Sequence, residues 1–191
     1  WGGGLIASEA LRGALAGIEL ADSATIDAHK WFATTMGCGM FLTRHAETLS
    51  AAFRVSTGYM PSNIGGVDPY VTSVQWSRRF LGLRLFLSLA AGGWAGHARH
   101  VERAVALAGA LAERLRGRGW TIANRSAMAV MCAEPPPGSA EPRTLVGRVL
   151  ASGAAWVSVA MFEGRPVVRA CLTHGETGLD ELTDDELEAE L

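Results

Sequence analysis

The strongest constraint on how this chain can fold is a long helical signal near its middle, from Arg78 to Leu115. Phe80, Leu83, Leu87 and Ala91 recur at steps of three and four residues. Val101, Val105, Leu107, Leu111 and Leu115 resume the pattern beyond the Gly92-Gly93 pair. That spacing lines apolar side chains along one helix face, and a pair of glycines is where such a helix breaks, because glycine loses most backbone freedom on ordering. The second stretch closes on the basic, glycine-bearing run Arg114 to Gly119, which suits the electronegative C-terminal end of a helix. A helix of this length joins what lies before it to what lies after. The expected organisation is a first unit over 1–95, a connecting helix over 96–118 and a smaller unit over 119–191.

Before the helix, residues 1–7 read as a glycine-rich loop, Ser8 to Gly17 as a short helix and Ser23 to Asp27 as extended chain. Met36 to Arg44 is a compact apolar run that suits a buried strand. From Arg54 to Asp68 the residues turn to Ser, Thr, Gly, Pro and Asn, and loops of that length inside a compact domain are usually functional. After the helix the pattern is strand (Trp120 to Ala123), strand (Met128 to Ala133), helix (Arg143 to Ala151), strand (Trp156 to Phe162) and strand (Pro166 to Thr173). Thr183-Asp-Asp-Glu186 is a capping box that opens a final acidic helix. The last third is therefore expected to be a small α+β unit with an antiparallel sheet.

Composition narrows the function classes. Of the 191 residues, 49% are hydrophobic and 19% charged, with a net charge of −2. The chain is globular, and no basic field exists to attract nucleic acid or an anionic membrane. The longest uncharged stretches fall short of the roughly 18 apolar residues of a membrane span. Cys38, Cys132 and Cys171 are too few and too scattered for a disulfide framework or a zinc site, so reduced thiols and a cytoplasmic setting are expected. The opening Trp-Gly-Gly-Gly-Leu-Ile has no initiating Met and no basic leader, and reads as a segment of something longer.

One segment carries chemistry: Ala21-Asp-Ser-Ala-Thr-Ile-Asp27-Ala-His29-Lys30-Trp31-Phe32. A lysine between two apolar strands, beside a histidine and aromatic rings, is an unusual place for a solvated cation. Burial penalises the charged form and frees an amine for Schiff-base chemistry. The plainer alternative is a lysine at a loop tip whose stem packs while its ammonium reaches water. Two other features are weaker. His97 and His100 stand three apart on the long helix and could suit a metal, but no third ligand is apparent and a solvated helix face is the simpler reading. Gly2-Gly3-Gly4 before a helix could cradle a phosphate, yet it lacks the Lys-Ser/Thr of a P-loop.

The string Ser-x-x-x-Asp-x-His-Lys-Trp resembles the lysine motif of the group II pyridoxal-phosphate-dependent amino-acid decarboxylases, a family that includes aromatic-amino-acid, histidine and glutamate decarboxylases. Met36-Gly-Cys38-Gly-Met-Phe41 with Arg44, Trp76-Ser-Arg78-Arg79-Phe80 and Leu83-Arg84 match further stretches at matching distances. The resemblance implies an α/β chain: the end of a fold-type-I (aspartate aminotransferase-like) large domain followed by a small C-terminal α+β domain. It implies that Lys30 forms the aldimine with pyridoxal 5'-phosphate, and that His29 and Asp27 lie near the cofactor phosphate. The family usually carries Asn where Asp27 stands, and prefers a bulky apolar residue where Ala24 stands.

Tyr59, 29 residues after Lys30, resembles the tyrosine of the family's mobile catalytic loop, about 54–68 here, which is thought to protonate the substrate Cα after CO2 leaves. Arg169 in Pro-Val-Val-Arg-Ala-Cys matches a strand arginine that binds the substrate carboxylate in relatives; an ordinary ion-pair partner is the alternative. No metal is implied. The expected activity is decarboxylation of an L-amino acid, a small-molecule substrate, to the amine and CO2, in a homodimer with shared sites. Aldehyde synthesis, carbon–carbon lyase chemistry on the same fold, or a non-catalytic fragment are the alternatives. In the family, the aspartate that pairs with the pyridine nitrogen lies three residues upstream of the position of Trp1, with the ring-stacking histidine and the Ser/Thr phosphate ligands further upstream.

Overall fold

The computed structural model describes residues 1–55 and 69–178. Strand β1 (Ser23–Asp27) pairs antiparallel with β2 (Gly39–Thr43), with Asp27 opposite Gly39 and Ser23 opposite Thr43. Between them the chain makes a single helical turn, α1 (Ala28–Trp31). Helix α2 (Ala46–Phe53) follows β2, a helix that the sequence reading did not anticipate. The long helix α3 runs Gly82–Gly117, and Gly93 sits inside it at φ 61°, ψ 171°. That left-handed conformation is one glycine adopts without a Cβ clash, so the predicted interruption falls on the second of the paired glycines.

Beyond α3 lie β3 (Thr121–Ile122), β4 (Val130–Glu134), α4 (Pro142–Ser152), β5 (Ser158–Phe162) and β6 (Arg165–Cys171). The strands form one antiparallel sheet in the order β3-β4-β6-β5. Helix α4 starts on Pro142, whose missing N–H costs nothing in a first turn, and stops at Gly153 with φ 77°. Strands β5 and β6 are joined by Glu163-Gly164, both at positive φ, the twist a two-residue hairpin needs.

The opening region departs from expectation. Gly2–Ala7 is a 3₁₀ helix, and Ser8 to Gly17 holds only a short 3₁₀ turn at Arg12–Leu15. The first glycines face neighbours at close range: a Cβ on Gly3 would stand 2.6 Å from the Ile26 side chain, and one on Gly4 2.6 Å from Trp31 Cβ. These glycines let the segment lie flush on β1 and α1, which is a packing role and not a phosphate cradle. One core runs from Leu5 and Trp31 through Val101, Leu107, Leu111 and Leu115 of α3 to Met131, Ala133, Val168 and Ala170 of the sheet. A second, smaller core beneath the lysine turn gathers Ala28, Phe32 and Cys38 against Ile26, Met40, Leu81, Leu85 and Leu89. The capping box Thr183 to Glu186 lies outside the described residues.

Candidate active site

Helix α1 is one turn long, and its faces divide cleanly. Ala28 and Trp31, three apart, are fully buried, whereas His29 and Lys30 between them are half-buried. Anchoring two residues of a turn this short in apolar cores turns the other two outward. The return to β2 is held by backbone bonds, Thr34 N–H to Ala28 O (3.3 Å) and Ala33 N–H to Lys30 O (3.1 Å), and Ala33 adopts φ 51°. His29 is fixed twice by one carbonyl: its backbone N–H and its Nδ1 donate to Cys38 O at 3.0 and 2.9 Å. A carbonyl only accepts, so a neutral His29 carries its proton on Nδ1 and keeps the Nε2 lone pair available.

The first half of α3 clasps the same turn. The Cys38 thiol donates to Leu81 O (3.5 Å), Arg84 donates to Met36 O (2.9 Å) and the Ser88 hydroxyl donates to Phe32 O (2.9 Å). Beyond the Gly93 kink, His97 Nε2 donates back to Ser88 O at 3.2 Å, and its ring lies 5.6 Å from that of Phe32. His97 is 6% exposed, and His100 is half-buried with Nε2 enclosed and unbonded. The solvated helix face expected for these two histidines is therefore overturned: both turn inward, His97 as a strut behind the lysine turn. Among the described residues no group of three or more side chains could hold a metal.

Lys30 Nζ donates to Asp27 Oδ2 at 2.5 Å, with 38% and 32% of the two side chains exposed. The hydrogen bond from Lys30 holds the Asp27 carboxyl below its ordinary range, with desolvation opposing and the charges of Lys30 and His29 assisting. Asp27 thus engages the lysine itself.

Arg169 arrives from the other unit. On β6 it pairs with Cys132 of β4 and Ser158 of β5. Side chains alternate across a strand, so Met131, Ala133, Val168 and Ala170 enter the core, and Cys132, Ser158, Arg169 and Cys171 share the opposite face. The charges of Arg169 and Lys30 both bear on the Cys171 thiol. Burial nonetheless pushes the Cys171 thiol up from its ordinary value, against the charges of Arg169 and Lys30. Burial raises Cys132 likewise, against the charge of Arg169. No carboxylate pairs with Arg169 among the described residues. Asp27, His29 and Lys30 thus stand together on one turn, while Arg169 stands on β6 of the second sheet. Tyr59 lies outside the described residues. Cys171 and Ser158 were missed from sequence; only the period-two alternation through Arg169 could have indicated them.

A half-exposed primary amine, an imidazole with an unengaged Nε2 and a guanidinium without an internal carboxylate form a donor set that fits an aldehyde- and phosphate-bearing cofactor together with a carboxylate substrate. Comparison with known sequences agrees with that chemistry. The family profile described as "Pyridoxal-dependent decarboxylase conserved domain" matches residues 1–133, and the chain belongs to this family of pyridoxal-phosphate-dependent decarboxylases. It is 25% identical over 195 residues to the aromatic-L-amino-acid decarboxylase of Bacillus atrophaeus, covering 95% of this chain and 41% of that protein. It is 31% identical over 126 residues to the L-2,4-diaminobutyrate decarboxylase of Acinetobacter baumannii, covering 61% and 23%. The crystal structure of Oryza sativa TDC with PLP and tryptamine superposes with a TM-score of 0.88 at 22% identity, over 100% of this chain and 42% of that one. The fold is thus that of the fold-type-I decarboxylases, and the chain spans less than half the length of these relatives. Among the described residues no helix is long and apolar enough to cross a membrane.

Proposed function

We propose that this chain carries the lysine-bearing part of an enzyme that decarboxylates an L-amino acid to its amine and CO2 with pyridoxal phosphate. The observation that carries the reading is the Lys30 amine held at Asp27 on a turn where the adjoining His29 keeps Nε2 free, within the stretch that the decarboxylase profile matches. In this reading residues 1–95 belong to the cofactor-binding large domain, 119–191 form the small domain, and 96–118 join them. When bound, the cofactor supplies an electron sink for the charge left on the substrate α-carbon as CO2 departs.

The residues divide the remaining work. Lys30 offers the amine that holds the cofactor, with Asp27 steering its side chain. His29, its Nδ1 committed to Cys38 O, would offer Nε2 to help hold the cofactor. Arg169 grips a carboxylate in the two-pronged geometry its planar fork favours. Tyr59 is assigned the proton donated to the α-carbon; that role rests on its spacing from Lys30. The enzyme works as a homodimer with shared sites.

The test is borohydride reduction of the holoenzyme loaded with pyridoxal phosphate. A band near about 420 nm is expected before reduction, and peptide mapping afterwards should find the cofactor on the Lys30 peptide. A label on another lysine, or none, would sink the assignment. Product analysis then separates amine from aldehyde, and Tyr59→Phe is expected to move output from amine toward aldehyde.

A further inference from the structure

Helix α3 breaks where two packed regions meet. Its first half lies on the lysine turn, with Leu85 and Leu89 in the smaller core and Arg84 and Ser88 donating to Met36 O and Phe32 O. Its second half, from Val101 onward, packs with the four-stranded sheet in the larger core. His97 is the first buried residue of α3 and lies four residues beyond Gly93. Its Nε2 reaches back to Ser88 O at 3.2 Å. Nine residues of unbroken helix advance about 13.5 Å along the axis, too far for an imidazole to span. The break at Gly93 folds the ring back against Gly92, where a Cβ would stand 3.7 Å from Nε2.

These contacts converge on Phe32, two residues after Lys30. Its carbonyl accepts from Ser88 Oγ at 2.9 Å. Its ring, 4% exposed, lies 5.6 Å from that of His97 and 6.4 Å, edge-on, from that of Trp94. A helix of one turn cannot hold itself, so α1 takes its orientation from the residues anchored around it. Directly beyond Phe32, the N–H groups of Ala33 and Thr34 bond to Lys30 O and Ala28 O. Holding Phe32 therefore holds the backbone from which Lys30 projects. We propose that His97 is a positioning residue for Lys30: with Ser88 it forms a brace across the α3 kink that fixes Phe32 and so sets how the lysine turn presents its amine. This rests on the reading of Lys30 as the cofactor lysine.

Two measurements on the full-length enzyme test the proposal. The first is amide hydrogen exchange without cofactor, followed peptide by peptide. His97→Leu keeps an apolar side chain in the site and deletes the donor, so amides of residues 29–34 should exchange about tenfold faster. Those of β6 should stay within about twofold, whereas a general loss of stability would speed both. The second is titration with pyridoxal phosphate, read at the band near about 420 nm. His97→Leu should raise the cofactor Kd about tenfold. His97→Gln, whose amide N–H can replace the imidazole donor, should restore both readouts. Ser88→Ala should act in the same direction, and the double variant should cost no more than the larger single change, because both break one brace.

Unchanged exchange in the turn, exchange that rises equally in β6, a failure of His97→Gln to restore the wild-type values, or effects of His97→Leu and Ser88→Ala that multiply each overturns the proposal. If borohydride reduction of the wild-type enzyme leaves no cofactor on Lys30, the cofactor reading has failed and the proposal falls with it. If the wild type loads on Lys30 and His97→Leu leaves the Kd unchanged, only the positioning role is lost.

Discussion

Asp27 closes β1 and Lys30 follows within one helical turn, so their side chains meet three residues apart at 2.5 Å. Because the lysine hydrogen bond lowers the Asp27 carboxyl below its ordinary value, the native state binds that proton less tightly than the unfolded chain. The pair therefore stabilises the fold above the ordinary carboxylate range, and the contribution is lost as pH falls through the lowered native value. Asp27→Asn is expected to remove this increment at neutral pH and to flatten the acid limb of the stability profile below about pH 4, read by chemical denaturation at several pH values. An unchanged acid limb would show that the pair contributes nothing to the fold. The motif Asp-x-His-Lys was legible in the sequence because it is local. Which atom Asp27 engages was not, since that depends on the orientation of a turn anchored by Ala28 and Trp31.

Elements show where small residues and buried histidines carry weight. Gly4 lies under Trp31 Cβ, an atom that cannot swing away, whereas nothing stands within 4 Å of a Cβ on Gly13. Gly4→Ala should destabilise by about 1–3 kcal/mol through overpacking, while Gly13→Ala should be neutral or stabilising by about 0.4–1 kcal/mol through the unfolded chain. Urea titration of the two variants checks the contrast, and equal effects would refute the close-packing role of the opening glycines. On α3, burial lowers His100 below its ordinary value, with the charges of His97 and Arg103 on the same helix and His174 after β6 adding to the effect. The native state keeps His100 neutral while the unfolded chain takes up a proton as pH falls through about 6.5. Stability is thus lost from that point down to the lowered native value, and His100→Gln should shallow the fall in melting temperature between pH 7 and 5.5.

At the scale of the molecule, the described residues expose several large apolar side chains. Phe80 is 78% exposed, Phe86 65%, Leu87 56% and Trp94 58%, and all four lie on or just before the first half of α3. Exposed apolar side chains gathered on one segment are a surface of the kind that drives association. Replacing Phe86 and Leu87 by Ser should shift sedimentation velocity toward the monomer, and each change should alter stability by no more than about 0.5 kcal/mol. Unchanged sedimentation would exonerate the patch.

Local order determined much of this protein before any folding: the extended Ser23 to Asp27, the long helix with its glycine break, the four strands after it, and the lysine motif all follow from neighbouring residues and their period. The 3₁₀ packing of the first glycines, the unanticipated α2 and the inward turn of His97 and His100 came only from tertiary contacts, because each depends on what a distant segment places opposite it. Arg169 makes the distinction plain. Its strand was legible from alternation, but 139 residues separate it from Lys30. Only the antiparallel register of β4, β5 and β6 put Cys132, Ser158 and Cys171 on its face, because strand pairing is set by segments far apart in the chain.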